Sequence, residues 1–196
     1  LLIALPAATL QSNAPLEVVS ETNEAVTVSV ILETIPAPGE ALPAHSQGMR
    51  VRQAIFDERG QPLATSISDA AVNQRLVVVS EVVAETDLRK SQVLFQHPVP
   101  AGFQIDAIVT PSLRDAAYGW LPELTQVDLI EARDDGVVAA QLDYVYKDDV
   151  VMRVAYILRA TTPGAYLALQ ASAQDMYDEN VFGLTGGQPV VVRDVP

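Results

Sequence analysis

The stretch VVMRVAYILRATTPGAYLALQASAQDMYDENVFGLTGG, residues 150–187, decides the fold of this 196-residue chain. It opens on strict alternation. Val150, Met152, Val154, Tyr156 and Leu158 fall on one side of an extended backbone, Arg153 and Arg159 on the other. A period of two is the mark of a half-buried β-strand. On that reading Val154 and Tyr156 are core residues, and reversing the charge of Arg153 costs no more than about 0.5 kcal/mol. Thr162-Pro163-Gly164 then breaks the ladder, because proline has no N–H to give and glycine tolerates positive φ. A second alternating run follows, with Leu167 and Leu169 on one face and Tyr166, Ala168 and Gln170 on the other, so that the two runs read as a hairpin. QDMYDENVFG, residues 174–183, is acidic and aromatic at once and reads as a loop before a last strand at residues 189–193.

The same reading extends upstream. Strands are expected at residues 50–56, 92–98, 104–109, 127–132 and 137–142. Residues 76–83 are apolar on both faces, as a central strand covered on both sides would be. DERGQ at residues 57–61 places Gly60 at a hairpin tip, Asp134-Asp135-Gly136 reads as a type I′ turn, and Lys147-Asp148-Asp149 as a second polar tip. Residues 66–73 read as a polar connection. A single short helix is expected at residues 112–120, with Ser112 as its N-cap and Gly119 closing it. The sum is an all-β chain, a two-sheet antiparallel β-sandwich of immunoglobulin-like kind.

Before the sandwich the pattern changes. Residues 16–19 and 25–32 read as strands, the second with Val26, Val28, Val30 and Leu32 on one face. IPAPGEALP at residues 35–43 carries three prolines and reads as a stiff linker. The expected division is therefore residues 1–36 as the end of another unit, 37–48 as linker and 49–196 as the sandwich. LLIAL at residues 1–5 is too short to span a bilayer and lacks a basic flank and an initiator Met, so the sequence reads as the interior of a longer chain.

Composition narrows the function. Apolar residues make up 49% of the chain, enough for a packed core, and the formal net charge is −13. So acidic a surface repels nucleic-acid phosphates and anionic membranes, and no direct membrane insertion by this segment is expected. There are no cysteines, which removes disulfides, thiolate metal sites and a cysteine nucleophile. His45 and His97 are the only histidines and neither has a ligand or triad partner at a recognisable spacing. His97 continues the Val93 and Phe95 face and reads as a satisfied structural histidine. The acidic turns lack the six or more converging oxygens that calcium requires. No catalytic residue, metal site or cofactor is expected.

One segment still asks for a role. Asp175, Met176, Tyr177, Asp178 and Phe182 either form a solvated loop whose rings fold onto the sandwich edge, or project into a neighbour, with Met176 and Tyr177 as anchor and the acids as a polar rim.

TTPGAY at residues 161–166, QDMYDENVFG at 174–183, PVPAGFQID at 98–106 and EARDDGVVAAQLD at 131–143 together resemble the C-terminal macroglobulin-like domain of bacterial alpha-2-macroglobulins. The resemblance covers roughly residue 49 to the end. It implies that residues 1–36 are terminal strands of a CUB-like domain. It further implies a non-enzymatic part of a periplasmic protease trap, whose membrane anchor, where one exists, lies on a parent N-terminus outside this sequence. The implied partners are the thioester-type and CUB-like domains of the same parent chain and the proteases that the parent encloses. Tyr177 matches a tyrosine that shields the thioester from water, on a domain that moves when the bait region is cut. The alternative of another class is an immunoglobulin-like spacer or adhesion module of a bacterial surface protein.

Overall fold

The computed structural model describes residues 40–64 and 67–194, together with Val19 and Thr27. Residues from 40 onward belong to the second of two units into which the chain divides, Pro36–Pro196. The strands expected at 16–19 and 25–32, but for Val19 and Thr27, lie outside the described residues, as does the first part of the linker.

In chain order come β1 (His45–Gln47), β2 (Met49–Phe56), β3 (Pro62–Ala64), β4 (Asp69–Ala71), β5 (Arg75–Ala84), β6 (Leu88–Pro98) and β7 (Phe103–Val109). Helix α1 (Pro111–Ala117) precedes β8 (Leu129–Arg133), β9 (Gly136–Val145), β10 (Val150–Ala160), β11 (Gly164–Ala168), β12 (Ser172–Asp175), β13 (Phe182–Leu184) and β14 (Gln188–Arg193). Two antiparallel sheets, β1-β13-β12-β6-β9-β8 and β3-β2-β5-β10-β7, bury their facing side chains in one core. A small third sheet, β11-β14-β4, adds Ala168, Val190, Val192 and Ala70 to that core. The fold is the all-β sandwich that the alternation predicts.

The alternation of β10 places its core face as read: Met152, Val154, Tyr156 and Leu158 are buried among Met49, Val51, Ile55, Val93 and Phe95. Val150 is the exception, exposed beyond an irregularity between Val150 and Met152. The strand is nonetheless not half-buried. Its other face carries Ala155 and Ile157, which join Val77 and Val79 of β5 and Val109 of β7 in a second cluster, closed by Leu121 and Leu124. This second core is why residues 76–83 are apolar on both sides. The segment after β7 covers it, pinned by the Arg114 guanidinium, which donates to the Leu121 carbonyl at 2.9 and 3.1 Å.

Several local expectations differ. The helix cap lies two residues earlier: Thr110, not Ser112, is the N-cap, its Oγ1 accepting from the Leu113 N–H at 3.2 Å, and the helix ends at Ala117 rather than running to residue 120. Asp134 and Asp135 form a two-residue turn between Arg133 and Gly136, but neither has positive φ, so the turn is not type I′. Residues 69–71, inside the expected polar connection, form β4 and pair in parallel with β14. Of the expected linker, residues 45–47 pair with β13 and Leu42 bridges Gly187, so the sheet begins before Met49.

The hairpin expected across Thr162-Pro163-Gly164 does not form. β11 pairs with β14 in the third sheet, not with β10. The Gly102 carbonyl accepts from the N–H groups of Thr161 and Thr162 at 2.7 and 3.2 Å, which ends the ladder. Tyr166 then donates to the carbonyls of Thr162 and Pro163, both at 3.2 Å, holding the turn against the start of its own strand.

Candidate docking loop

The segment read as a loop at residues 174–183 is the tip of a β-hairpin. Ser172, Ala173 and Gln174 of β12 pair with Leu184, Gly183 and Phe182 of β13, while the other edge of β12 pairs with β6. The connection is closed on itself. Asp175 N–H donates to the Val181 carbonyl at 2.9 Å, Val181 N–H to the Asp178 carbonyl at 3.0 Å, and Met176 N–H to the Gln92 carbonyl of β6 at 2.8 Å.

Asp175 points inward and is 8% exposed. Its Oδ1 accepts from the N–H groups of Tyr177 and Asp178 at 2.7 and 3.1 Å, and its Oδ2 accepts from the hydroxyl of buried Ser91 on β6. An aspartate that takes up the amides two and three residues on is a short-range turn former. Asp178 repeats the device on a smaller scale, accepting from Asn180 N–H at 3.0 Å. Above this base the next two side chains face solvent: Met176 is 55% exposed and Tyr177 82%. Gln174 to Asn180 and Leu94 of β6 line a shallow concavity there.

The five residues singled out from sequence therefore separate. Asp175, Met176, Tyr177 and Asp178 share the tip, with Asp175 as its buried support rather than part of a polar rim. Phe182 lies in β13, partly buried, its ring stacked on His45 at 5.2 Å between centroids. At Gly183, next in β13, a Cβ would meet the Met49 carbonyl oxygen of β2 at 2.7 Å. Ser91 escaped the sequence reading. It lies 84 residues before Asp175, and a serine in a strand gives no signal of its own.

His97 is buried in the core, its Nδ1 2.5 Å from the Tyr156 hydroxyl. Burial lowers its pKa to about 4 and raises that of Tyr156. Gln53 Nε2 donates to both Ser80 Oγ (3.1 Å) and Tyr156 Oη (3.2 Å), completing a polar network between the sheets. These groups are internal and offer nothing to a ligand. Among the described residues no group of three or more His, Cys, Asp or Glu side chains converges as a metal site would require.

Comparison with known proteins agrees with the fold. The family profile described as Bacterial Alpha-2-macroglobulin MG10 domain matches residues 48–180. The chain therefore belongs to the bacterial alpha-2-macroglobulin family, and the sandwich is its MG10 domain. Salmonella alpha-2-macroglobulin reacted with methylamine superposes with a TM-score of 0.62 at 22% identity, over 78% of this chain and 10% of that one. Trypsin-activated alpha-2-macroglobulin from Escherichia coli gives 0.61 at 20% identity, over 77% and 11%. A native Escherichia coli fragment from domain MG7 to the C-terminus gives 0.59 at 20%, over 76% and 24%. At these identities the likeness is one of fold, and the chain spans a tenth to a quarter of the length of these proteins. No curated protein matches it.

Proposed function

We propose that this is the non-catalytic C-terminal domain of a periplasmic bacterial alpha-2-macroglobulin-like protease trap. It docks on and shields the thioester-type domain of its parent chain through the Tyr177 loop, and moves with it when the bait region is cleaved. Residues 1–36 are read as terminal strands of a CUB-like domain of the same parent. Family membership supports the setting. One solved relative was reacted with methylamine and another activated by trypsin, and the proposal extends those two behaviours, amine reaction and protease trigger, to the parent.

The observation that carries the docking role is the pairing of Tyr177, 82% exposed, with a loop base that is buried. A loop needed only for solvation has no reason to fix its backbone on a buried carboxylate while leaving Met176 and Tyr177 in water. Burying that ring on a partner stabilises the contact by about 2 kcal/mol, and its hydroxyl needs one hydrogen bond there. Asp178 and Glu179 supply the polar rim.

The test is inactivation of the full-length parent by methylamine, with and without Tyr177→Gly. Faster inactivation of the variant, with the thermal midpoint of the 196-residue chain unchanged, supports shielding. Unchanged inactivation alongside a destabilised chain makes Tyr177 a structural residue and favours the spacer or adhesion reading.

A further inference from the structure

We propose that Asp175, held by Ser91, is the positioning residue that aims Tyr177 outward; its consequence for docking rests on the reading above. The ring itself has little to orient it, since four-fifths of Tyr177 is exposed. Its direction comes from the backbone at residues 177 and 178, and the N–H groups of both residues end on one oxygen of Asp175. The other oxygen is taken by Ser91, 3% exposed, from a strand that does not belong to the hairpin. The tip is thus referenced to β6 twice, through this side-chain contact and through Met176 N–H on the Gln92 carbonyl.

The choice of aspartate follows from the geometry. One carboxylate can accept three donors from two directions, and bonds to an ionised acceptor are about twice as strong as neutral ones. Burial of Asp175 shields its oxygens from competing water. An anchor ordered before contact loses less freedom on docking, so a clamp below the tip raises affinity without touching the partner.

Amide hydrogen exchange of the 196-residue chain tests the clamp, using Asp175→Ala, Asp175→Asn and Ser91→Ala. Asp175→Ala is expected to speed exchange at Tyr177 and Asp178 by about tenfold, the equivalent of one charge-assisted hydrogen bond. The amides of Val154 and Ile157 in β10 should keep their rates. Asparagine retains an oxygen for both N–H groups and should restore most of the protection, while Ser91→Ala should fall between. Unaltered loop exchange, or core amides accelerating as much as the loop, overturns the assignment. In the full-length parent, Asp175→Ala should move methylamine inactivation toward the Tyr177→Gly rate. A freed loop with wild-type inactivation, beside a sensitive Tyr177→Gly, also overturns it. If Tyr177→Gly itself changes nothing in the parent, the docking reading fails, and the exchange arm alone decides whether Asp175 sets the loop.

Discussion

The hydroxyl of Tyr156 lies 2.5 Å from Nδ1 of His97 and ties the middle of one sheet to the middle of the other. Gln53 donates to the phenol oxygen at 3.2 Å, and the same hydroxyl lies 3.0 Å from Ser80 Oγ. Burial disfavours a charged imidazole at this position. Protonation would place a charge in the core.

Stability should therefore depend on pH through His97. Its pKa is 6.5 in the unfolded chain and about 4 when folded. Between those values the unfolded state binds the extra proton, so stability is full above about pH 6.5 and falls as the pH drops toward 4. The loss amounts to roughly 3 kcal/mol over that window. Carboxylates titrate there too, so the informative quantity is the difference from His97→Gln, measured by urea unfolding at pH 7.5 and 4.5. The variant should lose less on acidification than the native chain. Equal losses would show that His97 does not titrate in the folded protein.

Arg153 is not the bland surface residue that alternation suggests. Its guanidinium donates to Glu81 Oε2 at 2.6 and 2.8 Å and to the Glu123 carbonyl at 2.9 Å, in a half-buried position at the rim of the second cluster. Arg153→Asp sets one carboxylate against another and should cost about 2–3 kcal/mol. Val154→Asp, on the core face, should cost more, about 3–5 kcal/mol. Arg133→Asp, at an exposed pair with Glu131, should stay near 0.5 kcal/mol. Chemical denaturation ranks the three, and an Arg153 effect as small as that of Arg133 would refute the assigned role.

Gly102 and Tyr166 join two of the sequence motifs physically. Gly102 has φ +87°, and a Cβ there would lie 2.4 Å from Cε2 of Tyr166. Gly102→Ala should cost about 2–3 kcal/mol, part backbone strain and part overlap with the ring. Adding Tyr166→Leu removes the overlap but not the strain, so the double variant should lose about 1 kcal/mol less than the sum of the singles. Additive losses in thermal unfolding would mean that the ring does not press on Gly102.

Strong periodicity made part of this legible. Val154 and Tyr156 were placed by alternation alone, and the two-faced apolarity of residues 76–83 correctly implied covering on both sides. Weak or long-range signals hid the rest. β12 buries Ala173 and Asp175, one small and one charged, so nothing in its composition marks a strand. The departure of β11 to a third sheet depends on the carbonyl of Gly102, some 60 residues away. All three residues of β1 are exposed, and its pairing with β13 leaves no apolar trace. At the loop, exposed Tyr177 was suspected from its setting, whereas the inward turn of Asp175 depends on Ser91 and was not.

The most direct measurement places a photo-crosslinking phenylalanine analogue at position 177 of the full-length parent. The account expects a cross-link to the thioester-type domain in the resting molecule, lost after a protease cuts the bait region. A cross-link confined to the MG10 domain, or one that persists unchanged after cleavage, would contradict it.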